Sequence, residues 1–125
     1  MMPVLAVAVG GALGSVARYL VVGQITRWLG ASFPWGTLTV NFVGGLTIGL
    51  LAEAMALKWS VPPEMRLFLI TGILGGFTTF SAFSLEVALL AERGAMAAAL
   101  AYVVASVVLS VGAVFVGLAL IRSIA

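Results

Sequence analysis

The chain has no cysteine and no histidine, and it has few charged residues. Without cysteine there is no disulfide framework. Without histidine as well, the usual nitrogen and sulfur ligands of zinc and copper are missing, and so is the commonest general base. Metalloenzymes and histidine-dependent hydrolases are therefore poor fits, and we expect no enzyme activity. The net charge of +2 comes from few residues and makes no clustered basic face for nucleic acid.

Apolar residues dominate what remains. Of 125 residues, 63% are hydrophobic and 8% charged, against roughly 25% charged in a typical soluble domain. A membrane-spanning helix needs about 20 mostly apolar residues, and four such stretches occur, at 3–29, 38–57, 66–90 and 95–121. The first stretch has no basic region before it, so we interpret it as a retained helix rather than a signal peptide. The sequence predicts an all-α membrane protein with one four-helix transmembrane domain, 1–125.

The basic residues divide evenly between the two predicted membrane faces. One face has Lys58, Arg66 and Arg122, and the other has Arg18, Arg27 and Arg93. Since loop charge sets orientation, this balance predicts insertion in both orientations. Two oppositely oriented copies could then pair antiparallel about an axis in the membrane plane, as inverted repeats do within one chain.

Glycine recurs inside the apolar stretches. Three pairs have a spacing of four residues, which places small residues on one helix face: Gly10 and Gly14, Gly45 and Gly49, and Gly72 and Gly76. We interpret the first two pairs as close helix packing. The glycines at 75 and 76 differ because hydroxyl residues follow at 78, 79 and 81. Hydroxyls compete for backbone hydrogen bonds, so we expect the third helix to break here and to free carbonyl oxygens inside the membrane.

Two series of polar residues follow the helical period. Asn41 shares a face with Thr37, and Tyr102, Ser106 and Ser110 follow one another at steps of four. Such hydroxyls could form a polar track along one face of the fourth helix. They could equally bond back to their own helix, with the tyrosine anchored near an interface.

Phenylalanine occurs at 77, 80 and 83, among hydroxyl residues instead of leucines. A stripe with this spacing often serves packing alone. An aromatic ring has a positive edge, however, and rings presented edge-on would attract an anion weakly. Ion conduction needs weak binding at several sites.

Three ordered blocks, at 10–19, 36–44 and 72–84, resemble a known family, the small fluoride channels called Fluc or CrcB. The resemblance covers nearly the whole chain. It implies passive export of fluoride by electrodiffusion through two pores of a dual-topology antiparallel homodimer with a broken third helix. It also implies a structural sodium ion at the dimer centre and a multi-pass location in a bacterial plasma membrane or inner membrane. The implied partners are fluoride, a second copy of the chain and the lipid bilayer.

The resemblance also assigns site residues. It implies that the rings of Phe80 and Phe83 line the pores and that the Asn41 side chain donates to the passing ion. Backbone carbonyls of Gly75 and Thr78 from both subunits would hold the sodium. The remaining residues of the expected fluoride pathway are Arg18, Thr79, Ser81, Ser84, Glu86, Tyr102, Ser106 and Ser110. Ala82 and Val114 depart from the family pattern because they lack a hydroxyl, which leaves the length of the polar track open.

Two other classes share parts of this pattern. A proton-coupled small multidrug exporter also has four helices and can insert in both orientations, but it needs a carboxylate inside the membrane, typically in the first helix. The first stretch has none. Glu86 is the one acid well inside a span, and we interpret it as a vestibule or packing residue bonded to nearby hydroxyls. A non-transporting assembly subunit would need the glycines but not the polar series.

Overall fold

The computed structural model describes residues 2–125, which are helical with short connections. Its elements are α1 (Met2–Leu29), α2 (Trp35–Leu57), α3 (Pro63–Arg66), a π-helix (Leu67–Leu74), α4 (Gly75–Phe77), α5 (Ser81–Glu92) and α6 (Met96–Ile124). Within residues 2–125, four helical stretches are long and apolar enough to cross a membrane, the third being Pro63–Glu92. This confirms the four predicted spans. The second and third begin at Trp35 and Pro63, earlier than the expected 38 and 66.

Glycine and proline mark the ends of the spans. α1 ends before Gly30, whose φ of +85° is a conformation that other residues rarely adopt. Gly94, after α5, has a φ of +86°. Pro34 precedes α2, and Pro63 occupies the first position of α3, where its missing N–H leaves no helical bond unmade.

The third span consists of several segments. Its π-helix changes to α-helix at Gly75, α4 ends at Phe77, and α5 begins at Ser81. Thr78 has an extended backbone, with φ −91° and ψ 160°. We call residues 78–80 the linker. It begins after Phe77, one residue beyond the glycine pair, and the glycines themselves are helical.

Glycines bring the helices close together in two layers. α1 packs on the third span, where a Cβ added to Gly10 would lie 2.5 Å from the Phe68 carbonyl oxygen. α2 packs on α6, where a Cβ on Gly45 would lie 2.6 Å from the Ser110 carbonyl oxygen. A side chain at either position would collide with backbone. The packing interpretation of these glycines is confirmed.

The outer surface of the protomer is apolar. Val4 is 69% exposed and Phe115 67% exposed, whereas Tyr102 and Val40 are fully buried. Soluble monomers rarely expose such extensive apolar surface. The protomer is therefore suited to contact with lipid or with other membrane helices.

Candidate functional site

A cavity of about 420 Å³ lies between α2, the third span and α6. Its lining combines an amide, hydroxyls, aromatic rings and linker backbone. The lining residues predicted from sequence are Asn41, Gly75, Thr78, Thr79, Phe80, Phe83, Ser106 and Ser110. The structure thus brings together eight of the residues expected in the fluoride and sodium sites.

Two serine hydroxyls in this cavity have unused hydrogen-bonding capacity. Ser106 is 6% exposed. Among residues 2–125, the buried Oγ atoms of Ser106 and Ser110 have no hydrogen-bond partner. A buried polar group without a partner is costly, so hydroxyls left this way can serve a ligand in the cavity. Neither hydroxyl bonds back to its own helix in this structure.

Tyr102, the third member of the polar series, has a different role. Its hydroxyl donates to Glu86 Oε1 at 2.8 Å, and the Thr37 hydroxyl donates to Glu86 Oε2 at 2.9 Å. Glu86 therefore has a donor on each oxygen, as expected of an acid bonded to nearby hydroxyls. It borders a second cavity of about 180 Å³, beside Arg93. The sequence placed Thr37 on the Asn41 face but did not indicate that it bonds Glu86.

The two cavity phenylalanines have different environments. Phe80 is 78% exposed in the protomer and Phe83 is 8% exposed. Their ring centroids are 5.5 Å apart with planes tilted by 48°. Phe83 also packs on Tyr102, at 5.1 Å between centroids. The Phe77 backbone lies against α1, where a Cβ on Gly14 would come 2.9 Å from its nitrogen, and its ring lies against α2, where Cδ2 would be 3.6 Å from a Cβ on Gly44.

Asn41 pairs with the linker backbone. Its Nδ2 donates to the Thr79 carbonyl at 2.9 Å, and its Oδ1 accepts the Thr79 N–H at 2.8 Å. One Nδ2 hydrogen remains for a ligand. The family resemblance implied that the Asn41 side chain donates to the passing ion. In the structure this side chain also bonds the Thr79 backbone.

Arg18 also reaches the backbone of the third span. Its Nε donates to the Gly76 carbonyl at 3.0 Å. The charge balance had placed this arginine towards one membrane face, but the bond lies within the central turns of two spans. The bond satisfies a carbonyl that the end of α4 leaves without a helical donor.

The hydroxyls around the linker bond locally. Thr79 Oγ1 accepts the Ala82 N–H at 3.1 Å and lies 3.4 Å from Ser81 Oγ. Ser84 donates to the Phe80 carbonyl at 2.9 Å. Both serines are exposed in the protomer.

Some carbonyls near the linker remain free. In the described part of the chain, no hydrogen bond ends on the carbonyl oxygen of Gly75 or Thr78. Gly75 is exposed and Thr78 half-buried. Carbonyl oxygens are hard donors that suit cations such as sodium. Among residues 2–125 no group of three or more acidic, histidine or cysteine residues could hold a metal, so a cation here would rely on backbone oxygens.

The chain is similar to known proteins over nearly its whole length. The family model described as CrcB-like protein, camphor resistance, matches residues 5–118. A protein of Rhodospirillum centenum named fluoride-specific ion channel FluC is 59% identical over 120 residues, covering 96% of this chain and 95% of that protein. Proteins of the same name from a Chelativorans species (61% over 118 residues, 94% of each chain) and Rhizobium leguminosarum (54% over 125 residues, 100% of each) are also similar.

Proposed function

This chain belongs to the CrcB family, and on that premise we propose that it is a fluoride-specific ion channel that exports fluoride passively. Similar proteins that match it over nearly their whole length have that name. The observation within the chain that best supports the proposal is the pair of unpaired hydroxyls, Ser106 and Ser110, in a cavity that also contains Phe80 and Phe83.

The cavity offers what a dehydrated fluoride ion needs. Fluoride holds its water tightly, so donors along the path must replace that water. Ser106 and Ser110 each have a free hydroxyl, and Asn41 retains one N–H. Phenylalanine edges add weak positive potential without a fixed charge. We propose that fluoride passes along these groups, and that weak binding at each keeps it moving.

We propose that the functional unit is an antiparallel homodimer in the bacterial plasma or inner membrane, with two pores. Phe80 is 78% exposed although it borders the cavity, so the protomer alone leaves one side of the pathway open. A second copy would close it. The apolar outer surface and the near balance of charge support membrane insertion in both orientations.

We further propose a structural sodium ion at the dimer centre, held by the free carbonyls of Gly75 and Thr78 from both subunits. Sodium would neutralise the negative ends of these carbonyl dipoles and join the two linkers. The linker then serves as the functional break of the third helix. An ion that is dehydrated and enclosed by the two subunits would exchange slowly, so it would stabilise the dimer rather than travel with fluoride.

The alternative of a proton-coupled small multidrug exporter has less support. Its chemistry needs an available carboxylate within the membrane, and Glu86 receives hydroxyl donors on both oxygens. A non-transporting subunit would gain nothing from unpaired hydroxyls in a cavity.

Flux from liposomes that contain the purified chain tests the proposal. We expect rapid fluoride efflux that requires a potassium ionophore for charge balance, with chloride efflux at the level of empty liposomes. Proton-coupled efflux of an organic cation would favour the exporter, and no efflux of either would favour the assembly subunit.

A further inference from the structure

Two side chains intercept the backbone N–H groups that would otherwise close the helix across the linker. We propose that Asn41 and Thr79 are positioning residues that free the Gly75 and Thr78 carbonyls for a cation. The inference rests on the proposed function, because it assigns a cause to the sodium site proposed there.

The Gly75 carbonyl loses its donor to Asn41. In a continuous α-helix, the N–H of Thr79 would bond the carbonyl of Gly75, four residues before it. Instead it donates to Asn41 Oδ1 at 2.8 Å, and Asn41 Nδ2 donates to the carbonyl of the same residue at 2.9 Å. The Asn41 amide thus bonds the Thr79 N–H and carbonyl in place of helical backbone partners.

The Thr78 carbonyl loses its donor to a hydroxyl. The helical partner of the Thr78 carbonyl would be the N–H of Ala82. That N–H donates to Thr79 Oγ1 at 3.1 Å, in the manner of a helix cap at the start of α5. Within residues 2–125 both intercepted carbonyls have no other partner, and both border the cavity.

Three nearby carbonyls are satisfied by other groups, whereas within residues 2–125 no hydrogen bond ends on the Phe77 carbonyl. Leu74 accepts the N–H and the hydroxyl of Thr78, each at 3.0 Å. Gly76 accepts Arg18 at 3.0 Å, and Thr79 accepts Asn41. The Gly75 and Thr78 carbonyls differ from the others because a side chain takes the N–H that would bond each of them, which leaves both available to an ion at the cavity.

Matched substitutions at position 79 test the inference. Thr79→Val keeps the shape and β-branching but removes the acceptor, so the Ala82 N–H can return to the Thr78 carbonyl. Thr79→Ser keeps the acceptor. Asn41→Leu releases the Thr79 N–H to the Gly75 carbonyl without changing the charge. Thr47→Val is the control, because the Thr47 hydroxyl bonds only within α2, to Val43 at 2.7 Å.

The measurement is the thermal stability of the purified full-length protein in detergent, titrated with sodium chloride against choline chloride at constant ionic strength. A ligand that binds the native state raises stability with its concentration. We expect Thr79→Val and Asn41→Leu to raise the half-saturating sodium concentration by about tenfold or more, as loss of a charge-assisted contact would. Thr79→Ser and Thr47→Val should stay within about twofold of the unmodified protein.

A wild-type sodium midpoint in Thr79→Val would overturn the inference, and this variant decides the matter if Asn41→Leu fails to fold. Fluoride flux from the same samples at low and saturating sodium gives a second readout. Variants of positioning residues should recover fluoride flux at high sodium, whereas persistent loss of flux in Thr79→Val would mean that the Thr79 hydroxyl acts on fluoride directly.

If the unmodified protein conducts fluoride but is not stabilised by sodium, the cation site and this inference both fail while the channel stands. If it is stabilised by sodium but conducts no fluoride, the proposed function fails alone.

Discussion

At the scale of single residues, the polar series of α6 divides into members with different partners. The Tyr102 hydroxyl donates a hydrogen bond to Glu86, while the hydroxyls of Ser106 and Ser110 have no partner in the described residues. An unsatisfied buried hydroxyl costs stability. Two of them in one cavity are better explained by a ligand than by packing.

Ser106→Ala and Ser110→Ala should therefore separate stability from function. We expect each to lower fluoride flux by about tenfold, since a hydrogen bond to an ion is lost. The free energy of unfolding should be unchanged or rise by about 1 kcal/mol, because an unpaired buried group disappears. Fluoride efflux and thermal melts check this. Ser123→Ala, which removes a hydroxyl bonded to Leu120 near the end of α6, is the matched control, and an equal loss of flux there would contradict the assignment.

The two aromatic rings should respond differently to one substitution. Phe80→Ile and Phe83→Ile each remove a positive ring edge, so both should cut fluoride flux by about tenfold or more. Only Phe83→Ile should also destabilise the protein, by about 1 kcal/mol, since it is buried against Tyr102 whereas Phe80 is 78% exposed. Efflux assays and melts on the same preparations measure both effects.

Phe115→Ile provides the comparison for these variants, because Phe115 is an exposed phenylalanine of α6. Normal fluoride flux in the two cavity variants, or an equal loss of flux in Phe115→Ile, would indicate that Phe80 and Phe83 serve packing alone.

At the scale of secondary-structure elements, the third span shows how much of the fold could be predicted. The glycine pair and the following hydroxyls predicted a break in this span, and the structure has an extended residue, Thr78, between α4 and α5. The sequence could not show that Gly75 and Gly76 stay helical and that the chain departs at Thr78. The contact next to this point joins Asn41 to Thr79, 38 residues apart in sequence, and such a contact is fixed by tertiary packing.

The same limit applies to the site. Helical period placed Tyr102, Ser106 and Ser110 on one face, and the structure shows which of them border the cavity. Period gives the direction of a side chain but not its partner. The Glu86 contacts with Thr37 and Tyr102, and the Arg18 contact with Gly76, all join different helices.

Gly75→Val tests whether the linker region acts through a second subunit. A Cβ at this position would lie 3.7 Å from the Ile70 carbonyl, with no closer group among residues 2–125, so the protomer has room for it. We expect normal helix content by circular dichroism, weaker stabilisation by sodium and lower fluoride flux. The added bulk would lie where the partner and the ion are proposed.

Gly23→Val is the control for loss of a helical glycine, because a Cβ on Gly23 of α1 meets nothing within 4 Å in the described structure. Wild-type sodium response and flux in Gly75→Val would show that this face contacts neither an ion nor a partner.

At the scale of the whole molecule, orientation in the membrane depends on a small difference in charge. With Arg18 bonded to Gly76 within the spans, one face has Lys58, Arg66 and Arg122, and the other has Arg27 and Arg93. Arg122 is also paired with Glu53. The remaining bias is small, so insertion in both orientations stays a prediction.

Because the chain contains no cysteine, Ala31→Cys in the exposed first connection gives a single labelling site. We expect a membrane-impermeant thiol reagent to label a substantial fraction of the protein from each side of the membrane in intact cells and inverted vesicles. Adding two lysines to this connection should bias the labelling to one side. Labelling of Ala31→Cys from one side alone would contradict the antiparallel dimer.

Electrical recording from the purified chain in a planar bilayer shows whether fluoride moves through the protein passively and selectively. With a fluoride gradient and symmetric sodium, we expect a steady current that reverses near the fluoride equilibrium potential and disappears when chloride replaces fluoride. Imposing a sodium gradient should leave the reversal potential unchanged. A comparable chloride current, or a reversal potential that follows sodium, would show that the protein is not a passive, fluoride-selective channel.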